Sequence, residues 1–519
     1  MNLIKATGTI GGLTMVSRVL GFAREMVFAR IMGAGMAADA FALAFLIPNL
    51  FRRLFGEGAF AAGFVPLFSQ RLNGEGGMEE ARRFAEEVMA VFLPILIAVT
   101  AIFMIFMPAF VWMLASGWRD DPEKFALAVE LTRITFPYVI FISLVSLFSG
   151  VLNSLTKFAA AAFAPALLNI ALIAAQLVVP DGGPETARAM AFGVIAGGVL
   201  QLALCWGSVQ RLGLPIGFRW PRMTARVKEL LLLILPATLG SGIYYISQFF
   251  YAYFATRLPE GSLVYLGFAD RLNQLPLAII GSALGTAILP TISRAVDRGE
   301  DGRAAHVQGQ ATELSMLLTL PAAIALIVTA GPIVAALFQG GRFTAEDAAT
   351  TGLVLSIIVA GLPAYVMIKV LTPGFYARKD VKTPVKIAFA ILGVAVAANF
   401  LLIPILGIAA LALTTAGSAW LNAIALYAIL HARGHFRMEG WLIGRIARQL
   451  VAAAAMAAVL WLLQGQLMEY FDGSAGRRIL AVGALVSAGG LVYFSIAWFI
   501  GAMNREDILI LLKRKKVSE

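Results

Sequence analysis

The chain has 519 residues and a formal net charge of +11; 60% of its residues are hydrophobic and only 14% are charged. Soluble globular domains run at roughly 45 to 50% and about 25%, so this composition excludes a soluble enzyme or binding module and points to one polytopic membrane domain. Cys205, the only cysteine, lies in an apolar run, which excludes a disulfide framework and a thiolate metal cage.

Lys5 and the apolar run 6–16 resemble a signal peptide, but the run continues through Ser17 and Arg18 without an A-x-A-like cleavage site and reads as a retained first helix. Apolar stretches long enough to span a bilayer then recur to the end of the chain. They predict an all-α polytopic membrane protein of about fourteen transmembrane helices, over 6–32, 37–69, 84–115, 125–154, 159–180, 187–210, 227–256, 262–294, 306–338, 347–377, 384–404, 408–431, 444–466 and 477–501. Several exceed the bilayer thickness and carry a mid-span proline, as expected of long, bent helices around a cavity.

The prolines also reveal a repeat. Pairing Pro48 with Pro276, Pro66 with Pro290, Pro94 with Pro321, Pro108 with Pro332 and Pro137 with Pro363 gives offsets of 228, 224, 227, 224 and 226. Helices 1 to 6 and 7 to 12 therefore read as two parallel six-helix lobes, an architecture that binds substrate between its halves. The expected domains are an N-terminal lobe over 1–222, a C-terminal lobe over 223–436, and helices 13 and 14 with a basic tail over 437–519.

Orientation follows from the basic residues. With the N-terminus inside, the cytoplasmic loops, tails and adjoining helix ends hold 26 of the 41 lysines and arginines and the opposite loops and helix ends seven, which predicts that both termini are cytoplasmic. Basic loops facing an anionic leaflet account for most of the net charge without nucleic acid.

Six arginines and four carboxylates cluster inside predicted helices 1, 2 and 8: Arg18, Arg24, Glu25, Arg30, Asp39, Arg52, Arg53, Glu57, Asp270 and Arg271. A charge at the centre of a lipid-facing helix costs roughly 2.5 to 3.5 kcal/mol, so this set is expected to face a hydrated interior or a partner. Arg30, near the outer end of helix 1, reads as a snorkelling side chain. Arg53 and Glu57, four apart, read equally as a local pair or as cavity charges. Arg24 and Glu25 are adjacent, as are Asp270 and Arg271; side chains that diverge by about 100° are not expected to pair with each other. The bland alternative is that all ten charges are interhelical glue. The excess of arginine over carboxylate favours an anionic ligand, and the planar guanidinium fork suits a phosphate or pyrophosphate.

The residues then become specific. Ser17-Arg-Val-Leu-Gly-Phe-Ala-Arg-Glu25, Gly33-Ala-Gly35 with Asp39-Ala-Phe41, Pro48-Asn49-Leu50-Phe51-Arg52-Arg53-Leu54, Glu57-Gly-Ala-Phe60 and Phe64-Val-Pro66 strongly resemble the MurJ/MviN family of lipid II flippases. So does Asp270-Arg271-Leu272, followed by Leu275-Pro276 and Gly285-Thr286-Ala-Ile-Leu289-Pro290. The resemblance covers the chain. It implies the multidrug/oligosaccharidyl-lipid/polysaccharide exporter fold, alternating access in a bacterial inner membrane, and transfer of an undecaprenyl-pyrophosphate-linked disaccharide pentapeptide to the periplasmic leaflet. Arg18, Arg24, Arg52 and Arg271 are the expected substrate-binding residues, with Glu25, Asp39, Asn49, Arg53, Glu57 and Asp270 supporting the cavity. Glu25 stands where the family commonly has aspartate, and Gln274 where some relatives have glutamate, which puts an ionic role at that second position in doubt. Helices 13 and 14 would form a groove for the lipid tail.

Neither a metal nor another cofactor is expected, and no phosphate-binding G-x-x-x-x-G-K-[ST] loop is present, so ATP does not drive transport directly. The coupling ion is not legible. Expected partners are lipid II in the bilayer and cell-wall synthesis proteins. A drug or cation exporter of the same superfamily would more naturally carry membrane carboxylates. An intramembrane glycosyltransferase or protease would need acids or histidines placed for chemistry, whereas His306, His431 and His435 fall in or beside loops.

Overall fold

The computed structural model describes residues 3–56, 59–471 and 473–504. In chain order its helices are α1 (Leu3–Met32), α2 (Met36–Gly56), α3 (Ala59–Leu72), α4 (Gly77–Ile105), α5 (Met107–Leu114), α6 (Pro122–Thr135), α7 (Tyr138–Ser154), α8 (Ala159–Val178), α9 (Pro184–Arg211), α10 (Ala225–Ala255), α11 (Ser262–Asp297), α12 (Asp301–Phe338), α13 (Ala345–Val359), α14 (Leu362–Tyr376), α15 (Lys382–Leu406), α16 (Ile408–Ala432), α17 (Gly440–Gln466), α18 (Met468–Phe471) and α19 (Ala475–Phe499). Among the described residues the only extended pairing is an isolated bridge between Gly340 and Phe343. The chain is an all-helical multi-pass membrane protein.

Among the described residues ten helical stretches are long and apolar enough to cross a membrane, α6 with α7 and α13 with α14 each counting as one. The expected spans 6–32, 37–69, 227–256 and 262–294 fall on α1, on α2 with α3, on α10 and on α11. These are not among the ten, although Met36–Leu50 is a shorter apolar helix. The count of fourteen is therefore not established by the described residues.

Two of the five proline pairs stand beside a helix break or distortion at matching places. A proline lacks the amide hydrogen and its ring crowds the preceding turn. Pro137 caps the start of α7 after the break from α6, and its repeat partner Pro363 sits in the first turn of α14 after the break from α13. Pro108 opens α5 just beyond the break at Phe106, and its partner Pro332 lies three residues after Thr329, which leaves helical geometry at φ −106° and ψ 16°. Pro94 and Pro321 both lie inside long helices, α4 and α12.

Contacts divide the chain between Val264 and Tyr265, with Gly340–Thr344 grouping with the first unit. In that unit α8 and α9 approach closely because α9 presents Gly193 and Gly197, four apart, to α8. A Cβ on Gly197 would lie 2.7 Å from Leu168 Cδ1 and 3.0 Å from its Cα. The Tyr138 hydroxyl donates to Gln201 Oε1 at 3.0 Å and Gln201 Nε2 donates to the Ala164 carbonyl at 3.0 Å, joining α7, α9 and α8 through satisfied buried polar groups.

The same unit is closed at the end of α1 by the loop Gly340–Thr344. The Arg342 amide donates to the Arg30 carbonyl at 2.9 Å, and Arg342 Nη1 donates to the Gly182 carbonyl at 3.0 Å. Gly182 and Gly341, at φ +68° and +59°, are required here: a Cβ on either would sit 2.1 or 2.2 Å from a carbonyl oxygen of α1.

In the second unit α17 and α19, the two long helices beyond the repeat, pack on α12 around Leu317, Ala452, Met456, Leu485 and Tyr493. The Tyr493 hydroxyl donates to the Leu317 carbonyl at 2.9 Å, and Arg445 of α17 pairs with Glu313 of α12.

Gly197→Leu is expected to destabilise the first unit by about 1 to 3 kcal/mol through overpacking. Thermal unfolding in detergent should show a lowered midpoint. Gly207→Ala, on the same helix with nothing within 4 Å of the added methyl, should leave the midpoint unchanged.

Candidate functional site

The first unit builds its charged site on α1 and α8. Arg24 and Glu25 are half-buried, with 11% and 16% of their side chains exposed, and they form an ion pair. This corrects the expectation that adjacent residues diverge too far to pair. The helical angle of about 100° separates the two Cβ atoms, but both side chains are long enough to curl towards each other beyond that point. Glutamate at this position, rather than the shorter aspartate, supplies part of that reach.

Arg24 is held from a second direction. Its Nη1 donates to Asn169 Oδ1 of α8 at 3.2 Å, and Asn169 Nδ2 donates to the Ser17 carbonyl of α1 at 3.2 Å. The buried amide thus bridges the two helices and orients the guanidinium. The guanidinium carbon lies 5.7 Å from the centroid of the Phe45 ring, within cation–π range. Asn169 packs over Gly21 of α1, where a Cβ would lie 3.4 Å from its Nδ2, at ordinary contact distance.

Asp39 is in different company. Near the start of α2 it is buried and pairs with Lys124 Nζ of α6 at 2.9 Å, while the Gly261 amide donates to the same carboxylate oxygen at 2.8 Å. Lys124 is also buried, with its ammonium 4.5 Å from the centroid of the Trp118 ring. Removing either partner would strand a charge away from water.

Arg18 lies on α1 and is exposed; Asn49 is half-buried on α2. Arg52 and Arg53 belong to α2, but their side chains, like Glu57 altogether, lie outside the described residues. In the second unit Asp270 and Arg271 are consecutive on α11, and Gln274, one turn on, donates its amide to Asp270. An amide at 274 therefore supports the carboxylate that a glutamate there would repel.

Sequence reasoning missed Asn169, Lys124 and Lys369. Asn169 and Lys369 carry a visible signal, a polar residue within an otherwise apolar helical run. Lys369 is exposed on α14. Lys124 falls in the loop between the predicted spans 84–115 and 125–154, on the side opposite the termini, and only the fold brings it to Asp39. Among the described residues no group of three or more His, Cys, Asp and Glu is placed to hold a metal. His306 packs on the Trp441 ring, with centroids 5.8 Å apart, and His431 on Tyr427 at 5.7 Å.

The fold defines a class first. A solved inward-facing multidrug resistance MATE family transporter of the MOP superfamily superposes with a TM-score of 0.64 at 17% identity, over 82% of this chain and 97% of that one. A solved lipid II flippase MurJ in an inward closed conformation gives a TM-score of 0.77 at 23% identity, over 94% of this chain and 98% of that one. The family model described as lipid II flippase MurJ matches residues 28–480. A protein of Rhizobium tropici named probable lipid II flippase MurJ is 40% identical over 99% of this chain and 98% of its own length. The lipid II flippase MurJ of Burkholderia cenocepacia is 37% identical over 96% and 98%. The chain belongs to the MurJ family.

Asn169→Ala would remove the acceptor for Arg24 and the donor for the Ser17 carbonyl, and is expected to cost about 1 to 3 kcal/mol. Ile170→Ala, at the neighbouring exposed position, should cost much less. Melting curves of the two variants in the same detergent check the difference.

Proposed function

We propose that this chain is a lipid II flippase: a transporter, not an enzyme, that moves the undecaprenyl-pyrophosphate-linked disaccharide pentapeptide from the cytoplasmic to the periplasmic leaflet. The observation that carries the reading is the half-buried Arg24, held by Glu25 and Asn169, in a chain 40% identical throughout its length to a protein of that name. A pyrophosphate and a polar sugar-peptide cannot cross hydrocarbon unaided, so a flippase must offer a cationic, hydrated path while the isoprenoid tail stays in lipid.

Within this reading, Arg18, Arg24, Arg52 and Arg271 bind the head group. Asn169 fixes the direction of the Arg24 fork, and Glu25 acts as its displaceable counter-ion: a carboxylate keeps the guanidinium paired when no substrate is present and yields it to a phosphate. Asn49, Arg53, Glu57 and Asp270 support the cavity. Asp39, paired with Lys124, supports it by holding α2 to α6 rather than by touching substrate.

The lobes over 1–222 and 223–436 would rock about their proline-bent helices to expose the site alternately, with 437–519 serving the lipid tail. Bacterial inner-membrane residence, cytoplasmic termini, cell-wall synthesis proteins as partners and transport without cofactor or nucleic acid complete the proposal. A reporter fused after Glu519 is expected to be cytoplasmic and one inserted at Arg477 periplasmic, the outcome that the basic-residue bias requires. A periplasmic C-terminus would overturn the orientation.

Reconstitution in vesicles with labelled lipid II tests the function directly. Arg24→Ala and Arg271→Ala are expected to abolish transbilayer movement with normal membrane insertion, and lysine at either place to restore only part, because a point charge lacks the bidentate grip. Arg30→Ala should be nearly silent. Essential Arg30 with dispensable Arg24 and Arg271 would put the head-group site elsewhere.

A further inference from the structure

The segment 212–224, between α9 and α10, has no regular secondary structure, yet it is firmly held. Leu214 and Ile216 are buried. The Gly217 amide donates to Glu86 Oε1 at 3.1 Å and Arg219 Nε to Glu86 Oε2 at 2.5 Å, so one buried carboxylate of α4 takes both a backbone and a side-chain donor from the segment. Further along, the Thr224 hydroxyl donates to Glu87 Oε2 at 2.8 Å and also accepts from the Val227 amide, capping α10.

What this scaffold presents outward is unusual for a loop in water. Phe218, Trp220 and Met223 are 63%, 79% and 61% exposed. They are interleaved with Arg219 and Arg222 and flanked by Arg211 and Lys228, all exposed. The carboxylates in reach lie behind the segment on α4, where Glu86 engages Arg219 and Glu87 engages Arg226. Glu229 beside Lys228 is turned to Arg71. Arg211 and Arg222 are left on the outward side with the aromatics. Aromatic rings with a polar handle and long basic side chains partition together to the headgroup layer, and a basic residue near an anionic surface contributes about 1 kcal/mol.

We propose that 212–224 is an interfacial anchor that docks on anionic phospholipid headgroups, its aromatic residues inserted at headgroup depth and Arg211 and Arg222 on lipid phosphates. The occupant is the leaflet at which α9 ends and α10 begins, the one that the basic-residue bias assigns to the cytoplasm. Because Glu86 and Glu87 fix the segment to α4 while Thr224 caps α10, the anchor sets where α4 and α10 sit relative to the headgroup plane. This inference stands apart from the transported substrate.

The test labels Met223→Cys, and separately Phe218→Cys, with an environment-sensitive fluorophore in a Cys205→Ser background, in the full chain reconstituted in vesicles. With a mixture of phosphatidylglycerol and phosphatidylcholine, emission should shift to the blue, aqueous iodide should quench poorly, and headgroup-labelled lipid should quench strongly. Arg222→Gln should lower the preference of the labelled segment for anionic over neutral headgroups about fivefold, read as the ratio of docked to iodide-accessible label in the two vesicle types and equivalent to one surface charge. Label fully accessible to iodide in both vesicle types would overturn the anchor. Equal shielding in pure phosphatidylcholine would overturn the anionic preference. Shielding that grows with protein density would assign the face to a second copy of the chain and overturn the lipid reading. Unchanged melting and lipid II transport in the labelled protein would exclude misfolding as the cause of any of these outcomes.

Discussion

No charge in this protein can be left to hydrocarbon, and most of the described architecture between helix ends follows from that constraint. Arg24 is given a carboxylate and an amide. Asp39 is given a lysine and a backbone donor, and that lysine an aromatic face. Glu313, on the long α12, is given Arg445 from outside the repeat. Each solution joins elements distant in sequence, so the charged residues that would be liabilities in a lipid-facing helix become the points at which helices are registered against one another.

The same medium explains the packing. Lipid tails are as apolar as leucine, so apolar area gives helices little reason to associate in a bilayer, and close approach with good van der Waals contact takes over. Gly193 and Gly197 let α9 settle on α8, and Gln201 satisfies its amide between the Tyr138 hydroxyl and the Ala164 carbonyl. A rigid α8 matters beyond stability, because Asn169 projects from it to set the direction of Arg24. The interior glycines and the orientation of the candidate substrate arginine are thus parts of one chain of causes.

Prolines supply the complementary property. Each removes one rung of the helical ladder, and the two halves of the chain place them so that α6–α7 and α13–α14 break alike and α4–α5 and α12 deform alike. Bends at equivalent places are what a pair of lobes needs if both are to change shape about common hinge points.

The sequence by itself determined the membrane class, most of the long helices and the family, because these rest on hydropathy and motif identity, which are local along the chain. Arg24 and Glu25 were legible as candidate site residues for the same reason, although not their pairing, which depends on side-chain rotamers beyond the Cβ direction. Only the tertiary structure decided that Asn169 steers Arg24, and that Lys124, which reads as an outer-loop lysine, neutralises Asp39 in the interior. It also attached α17 and α19 to α12. Those pairings join residues 85 to 176 positions apart, and no local pattern encodes which of many polar side chains will meet once helices are packed.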